Sequence, residues 1–159
     1  MSSRVGLGFD VHPFSADDAG ARTLILGGVV FADERPLAGH SDADVVAHAI
    51  ADAILGAAGL GDIGMHFPDH DDRWQGADSL TILAACVKLA RAEGYRTINA
   101  DCTIIAERPK IAPFRDEMIA RLTAVVGAPV HVKATRPEGL GSLGRVEGIA
   151  CMAVALLES

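Results

Sequence analysis

The stretch Gly39–Asp52, G-H-S-D-A-D-V-V-A-H-A-I-A-D, constrains this chain more than any other. Wound at about 100° per residue, it is apolar almost all the way round, through Ala43, Val45, Val46, Ala47, Ala49, Ile50 and Ala51. A helix of that kind has to be enclosed by the rest of the chain. One stripe departs from it: Asp44, His48 and Asp52 recur at i, i+4 and i+8 and share one narrow face. Burying a charge costs several kcal/mol unless it is paired or bound to a metal, so this stripe demands partners. The nearest candidate in sequence is Asp10-Val11-His12.

Arg4–Val11 reads as a strand ending at that tripeptide, and i and i+2 of an extended chain point the same way, so Asp10 and His12 share a face. Pro13 stops the pairing, and the polar segment Ser15–Arg22 reads as a loop. Thr23–Val30, with Gly27-Gly28 inside it, predicts two short strands and a tight turn. Ser41 is the expected N-cap of the central helix, with Asp44 three residues on in a capping-box pattern. Beyond the helix, Gly56, Gly59, Gly61 and Gly64 make a freely turning run that carries Asp62. Met65–Asp72, M-H-F-P-D-H-D-D, reads as a second metal site or, more simply, as a solvated loop with two exposed histidines. Pro68 and the irregular spacing give no ligand geometry there.

Asp78–Glu93 predicts a helix capped by Asp78, with Leu80, Leu83, Ala84 and Val87 inward and Gly94 at its end. Thr97–Ala106 alternates Ile98, Ala100, Cys102, Ile104 and Ala106 inward, the pattern of a strand. Pro113 opens another helix, with Phe114, Met118, Leu122 and Val125 inward and Gly127 closing it; Val130–Thr135 is a short strand. Gly139–Gly144 fits G-x-G-x-x-G, but a dinucleotide fingerprint needs a full βαβ unit after it and too little chain remains. The expected alternative is a flexible loop whose backbone approaches a ligand or a neighbouring chain. Glu147–Leu157 fits a helix by its alanine, methionine and leucine, and a buried strand by its length and flanking glycines.

The 159 residues suit one domain, 1–159, able to bury about 70% of its unfolded surface without a disulfide or metal. A formal net charge of −7 argues against a nucleic-acid groove and leaves room for a local anion site. Cys86, Cys102 and Cys151 are odd in number and far apart, which predicts three buried small hydrophobes in a reducing compartment. Residues 1–14 lack the pattern of a leader peptide, and no apolar run reaches membrane-spanning length. A soluble, cytoplasmic protein with no membrane partner is expected.

Asp10, His12 and His48 together make a three-ligand metal site. Zinc takes such a set tetrahedrally and keeps a fourth position for an exogenous oxygen. The plainer alternatives are a core His48 bonded to Asp44 or Asp52, and an Asp10 that caps a turn.

Seven segments carry a resemblance: G-L-G-F-D-V-H-P-F (6–14), G-H-S-D-A-D-V-V-A-H (39–48), L-G-A-A-G-L-G-D-I-G (55–64), F-P-D (67–69), D-C-T-I-I-A-E-R-P-K-I (101–111), V-K-A-T (132–135) and G-R-V-E-G-I-A (144–150). In this order and spacing the chain resembles the 2-C-methyl-D-erythritol 2,4-cyclodiphosphate synthases of non-mevalonate isoprenoid biosynthesis. The resemblance implies an α/β (α+β) subunit with a mixed four-stranded sheet, a short hairpin and helices on one face. It further implies a homotrimer with active sites between subunits. Zn²⁺, or another divalent ion such as Mn²⁺, would be held by Asp10, His12 and His48, and Mg²⁺ by Glu138. His40 and Ser41 would hold the substrate's 2-phosphate and Asp62 the methylerythritol hydroxyls, with Ile63, Gly64, Phe67 and Asp69 alongside. Ala106–Ala112, with Lys110, would receive the cytidine from the adjacent subunit, together with Ala134 and Thr135. His40, Asp62, Thr135 and Glu138 are the implied catalytic residues.

The implied reaction turns 4-diphosphocytidyl-2-C-methyl-D-erythritol 2-phosphate into the cyclic diphosphate and CMP. A zinc-dependent phosphohydrolase, or a trimeric binding module without catalysis, are the alternatives. Two departures from the family pattern stand out. Arg136 replaces a hydroxyl beside the diphosphate, either to contact phosphate or to face solvent. Ser142, Leu143 and Val146 replace an aromatic and a glycine near the threefold axis. Arg145 and Glu147 are retained there, as an inter-subunit ion-pair ring or as contacts to a prenyl diphosphate.

Overall fold

Alternation of inward and outward side chains over Ser3–Pro13 makes the first strand, β1, longer at both ends than Arg4–Val11. The computed structural model describes residues 2–16 and 22–159; residues 17–21 of the expected Ser15–Arg22 loop lie outside the described residues. Leu24–Leu26 (β2) and Val29–Phe31 (β3) pair as the expected hairpin around Gly27-Gly28. Then follow α1 (Val45–Ala58), α2 (Ile63–His66), α3 (Ser79–Ala92), β4 (Arg96–Ile105), α4 (Arg115–Val126), β5 (Val130–Thr135), α5 (Gly141–Gly144) and β6 (Gly148–Glu158). Four strands form one mixed sheet in the order β1-β6-β4-β5: β6 runs antiparallel to both neighbours, and β4 and β5 are parallel. The ambiguous segment Glu147–Leu157 is therefore a strand. It pairs along both edges, and those ladders together with inward Cys151, Ala153, Ala155 and Leu157 outweigh its helix propensity.

Helix α1 lies across β1 and β6 on one face of the sheet and is buried on almost every side, as its composition requires. Two glycines let it come so close. A Cβ on Gly8 would overlap the Ala49 carbonyl oxygen and stand 2.8 Å from Ala53 N, and one on Gly6 would stand 2.6 Å from Ala57 N. Gly6, Gly8, Asp10 and His12 all face α1, so the close approach at the glycines carries the ionisable end of β1 towards the helix.

Several local expectations shift. Asp44, not Ser41, caps α1: Ala43 has a φ of 59°, which interrupts any helix before it, and the Asp44 carboxylate accepts from Val46 N and Ala47 N. The inward stripe of α3 is Ser79, Ile82, Leu83, Cys86, Val87 and Ala90, which leaves Leu80 and Ala84 half-buried. Ile98 is likewise half-buried, because a register shift between Thr97 and Asn99 breaks the alternation. Pro113 sits in a single 3-10 turn that leads into α4, whose buried residues are Met118, Leu122 and Val126, with Val125 at the margin. All three cysteines are free and buried.

The other face of the sheet is different. Val5, Leu7, Phe9 and Val11 of β1 are between 68% and 49% exposed, and Met152 and Val154 of β6 stand beside them in register. Apolar side chains thus line one half of a sheet face on which no helix of the described residues packs.

Candidate metal centre and substrate cavity

Asp10 and His12 come from the last turns of alternation in β1, and His48 from the first turn of α1. Asp10 Oδ2 lies 3.0 Å from His12 Nε2 and 3.0 Å from His48 Nδ1. One donor atom from each of the three falls within 4.8 Å of the others. His12 is oriented from behind: its Nδ1 donates to the Ala38 carbonyl at 2.7 Å, which leaves Nε2 with its lone pair towards Asp10. Gly39 gives the ring room, since a Cβ there would sit 3.1 Å from the imidazole. Two imidazole nitrogens and one carboxylate oxygen, convergent and partly shielded, are a donor set suited to a divalent ion of the zinc type. Burial alone would raise the Asp10 carboxyl, but with no ion between them and the rings carrying their second hydrogen, hydrogen bonds from His12 and His48 and their charge outweigh it and hold Asp10 well below the usual carboxylate range. For His12 burial pulls downward, and the Asp10 carboxylate and the Ala38 carbonyl prevail and raise it.

The polar stripe divides among three partners. Asp44 caps α1 and also accepts from Gly27 N at 2.9 Å and Gly28 N at 2.7 Å, tying the β2–β3 turn to the helix. His48 joins Asp10. Asp52 accepts from Ile63 N at 2.8 Å and pins the start of α2. Only one member of the stripe therefore meets Asp10-Val11-His12.

A cavity of about 590 Å³ opens over the donor cluster, within the size range of small-molecule sites. Asp10, His12, His40, Ser41, His48, Ile63, Gly64, Phe67 and Asp69 all line it. Phe67 packs edge-on against Trp74 with ring centroids 4.8 Å apart, which supplies an apolar wall. Asp62 caps α2 through Met65 N and stands exposed next to Ile63, outside the lining of the cavity. The Arg22 guanidinium grips the loop that carries His40 and Ser41, donating to the carbonyls of Gly39 and Ser41. Among the described residues the donor cluster at Asp10 has no counterpart in Met65–Asp72. Of the two histidines there, His70 is exposed and His66 is half-buried, donating to the Leu60 carbonyl at 2.8 Å.

The remaining expected residues are not brought to this cavity. Ala106, Lys110, Ala112, Ala134, Thr135, Arg136, Glu138 and Arg145 do not line it. For Ala134 and Thr135 the register explains why: Asp10 pairs with Cys151, Cys151 with Ile104, and Ile104 with Ala134, so they sit at the same end of the sheet as Asp10 but on the opposite edge. Three strand spacings separate them, about 14 Å. Arg136 is exposed, as the solvent-facing alternative has it. It pairs with the Glu107 carboxylate, whose other oxygen accepts from Gly139 N at 3.2 Å, so that Glu107 brackets the exposed Glu138. Arg145 pairs with Glu147 of its own chain at 2.6 Å. Val146 holds a φ of 60°, where the family's glycine is at ease and a β-branched side chain is strained.

Sequence reasoning passed over Asp42 and Ser79, which sit directly behind His48. Ser79 follows the legible cap Asp78, but its contact to a residue far upstream in sequence leaves no local periodicity to read.

The YgbB family profile matches residues 3–158. Over 158 residues the chain is 56% identical to the 2-C-methyl-D-erythritol 2,4-cyclodiphosphate synthase of Geobacillus kaustophilus, covering 98% of each chain. Among solved structures it is similar to the bifunctional IspDF from Campylobacter jejuni, with a TM-score of 0.91 and 39% identity over 98% of this chain and 42% of that one. It is also similar to IspF of Plasmodium falciparum in a CDP complex, with a TM-score of 0.84 and 34% identity over 98% of this chain and 96% of that one.

Proposed function

The chain belongs to the YgbB family of cyclodiphosphate synthases, and from that premise we propose how its own residues carry the reaction. The enzyme converts 4-diphosphocytidyl-2-C-methyl-D-erythritol 2-phosphate into 2-C-methyl-D-erythritol 2,4-cyclodiphosphate and CMP. An oxygen of the 2-phosphate attacks the β-phosphorus. As that P–O bond forms, the bond from the β-phosphorus to the bridging oxygen breaks, and CMP departs with the electron pair.

A phosphate monoester has a second pKa of about 6, so the nucleophile is mostly ionised at neutral pH and no side chain needs to deprotonate it. What the protein must supply is alignment of two like-charged phosphates, which is a task of positioning and charge. His40 and Ser41, held by Arg22 at the cavity wall, hold the 2-phosphate. Asp62, with the Ile63 and Gly64 backbone that Asp52 pins, orients the sugar hydroxyls. Phe67, against Trp74, keeps water from one side. Asp10, His12 and His48 would hold a divalent ion, zinc by preference, and Glu138 would hold magnesium. When bound, such ions supply Lewis-acid stabilisation to the phosphates. The convergence of these three donors on the floor of a substrate-sized cavity is the observation that carries the reading.

Lys110, Ala134, Thr135 and Glu138 act from a neighbouring subunit. The place of Ala134 and Thr135 on the far edge strand, together with the uncovered apolar face of β1 and β6, supports a ring of three chains in which one edge of each completes the site of the next. No helix among the described residues is long and apolar enough to cross a membrane.

Incubation of metal-loaded protein with the cytidylyl substrate, followed by phosphorus NMR, tests the reaction. Two coupled phosphates in one cyclic product, with one equivalent of CMP, are expected. A linear phosphate product would assign a hydrolase instead, and no turnover would leave a binding module.

A further inference from the structure

Behind His48 lies a buried chain of hydrogen bonds that fixes which ring nitrogen faces the donor cluster. Ser79 opens α3 and is only 1% exposed; Asp42 lies in the turn before α1. The Asp42 carboxylate accepts three hydrogens, from Ser79 N at 3.1 Å, from the Ser79 hydroxyl, and from Asp44 N at 3.2 Å. An ionised carboxylate has no hydrogen to give, so the single hydroxyl hydrogen of Ser79 is committed to Asp42. Ser79 Oγ keeps only lone pairs for its two other neighbours, His48 Nε2 at 2.8 Å and Ser41 Oγ at 3.4 Å, and the contact with the imidazole is a hydrogen bond only if Nε2 bears the hydrogen. Ser41 Oγ, 3.2 Å from the same nitrogen, is a second acceptor when its own hydroxyl hydrogen goes to Ser79 Oγ. A neutral imidazole carries one N–H, so once a cation takes the place of the hydrogen between His48 Nδ1 and Asp10 Oδ2, which lie 3.0 Å apart, Nδ1 turns a bare lone pair to the ion while Nε2 keeps its hydrogen on Ser79.

We propose that Asp42 and Ser79 are positioning residues for the metal centre: their hydrogen-bond chain locks His48 in the Nε2–H form and dedicates Nδ1 to the divalent ion. The inference rests on the reading of Asp10, His12 and His48 as metal ligands. The Ala38 carbonyl does the same for His12 with the opposite nitrogen, so the two imidazoles meet the ion through Nε2 and Nδ1 respectively, each set by its own outer partner. Such partners raise ligand basicity and remove the entropy of ring rotation, and their loss typically weakens metal binding about 10–100-fold.

The test uses zinc-loaded, ¹⁵N-labelled protein. A long-range ¹H–¹⁵N spectrum of the wild type is expected to show His48 Nε2 bearing a slowly exchanging hydrogen and Nδ1 shifted by the metal. Ser79→Ala is expected to weaken zinc binding about 10–100-fold and to speed exchange of that hydrogen. Ser79→Thr, which keeps the hydroxyl, restores both. A wild-type His48 that binds zinc through Nε2, or a Ser79→Ala protein unaltered in both readouts, overturns the proposal; the wild-type spectrum decides even where the variant fails to fold. A wild-type protein that binds no zinc overturns the metal-centre reading itself and this inference with it.

Discussion

Replacing Gly8 with alanine separates the two halves of the donor cluster. A Cβ there would overlap the Ala49 carbonyl oxygen and stand 2.8 Å from both the Ala49 carbonyl carbon and Ala53 N. Unstrained contacts between carbons lie at about 3.5–4.0 Å, so strand and helix must part by about 0.7 Å to relieve the 2.8 Å contacts and by more to free the oxygen. The obstructing atoms are helix backbone, which has no rotamer to change. Overpacking of this kind costs about 1–3 kcal/mol and here belongs at the upper end, out of a total of about 5–15 kcal/mol. Asp10 follows two residues later on the same face of β1, and His48 precedes Ala49 on α1, so the displacement reaches the metal donors. Metal sites tolerate about 0.2 Å. Gly8→Ala is therefore expected to lose zinc affinity beyond its loss of stability, measured by urea unfolding and zinc titration in parallel. Gly6→Ala strains the same helix near Ala57, farther from the cluster, and serves as the comparison: similar destabilisation with a smaller loss of zinc. Wild-type zinc affinity in a folded Gly8→Ala protein would refute the idea that this close approach builds the site.

His48→Ala should weaken zinc binding by more than the roughly 100-fold expected for loss of an outer partner, and abolish CMP release; metal analysis beside a turnover assay checks it, and unchanged turnover refutes the ligand role. Glu138→Ala should flatten the dependence of rate on magnesium, read from a magnesium titration. Val146→Gly should stabilise the chain by about 1 kcal/mol in urea unfolding, since relief of about 1–3 kcal/mol of left-handed strain exceeds the entropy cost of glycine. The native protein should resist thiol reagents near neutral pH: burial pushes the Cys86 thiol up to about 12, and its hydrogen bond with Cys102 followed by burial raises Cys151 well above the ordinary thiol value. Rapid labelling without unfolding would contradict that.

Much of the site could be read from the chain because it follows local periodicity. Asp10 and His12 two apart on a strand, and His48 on an otherwise apolar helix, are statements about spacing, and the sheet and helices bring them together. What spacing does not encode escaped. Ser41 and Asp44 both suit an N-cap, and the choice was made by the left-handed backbone at Ala43. Glu147–Leu157 suits helix and strand alike, and strands on either side decided it. The pairing of Arg136 with Glu107, and the Asp42–Ser79 chain behind His48, join residues distant in sequence through side chains with no periodic signature. The distance of Ala134 and Thr135 from Asp10, on opposite edges of the sheet, is likewise a property of strand order, which no single segment carries.

X-ray absorption at the zinc edge of the loaded wild-type protein tests the account most directly. Two imidazole nitrogens and a carboxylate oxygen at about 2.0–2.2 Å, with one further light-atom ligand, are predicted. A sulfur shell at about 2.3 Å, or a shell of oxygens without imidazole scattering, would contradict it.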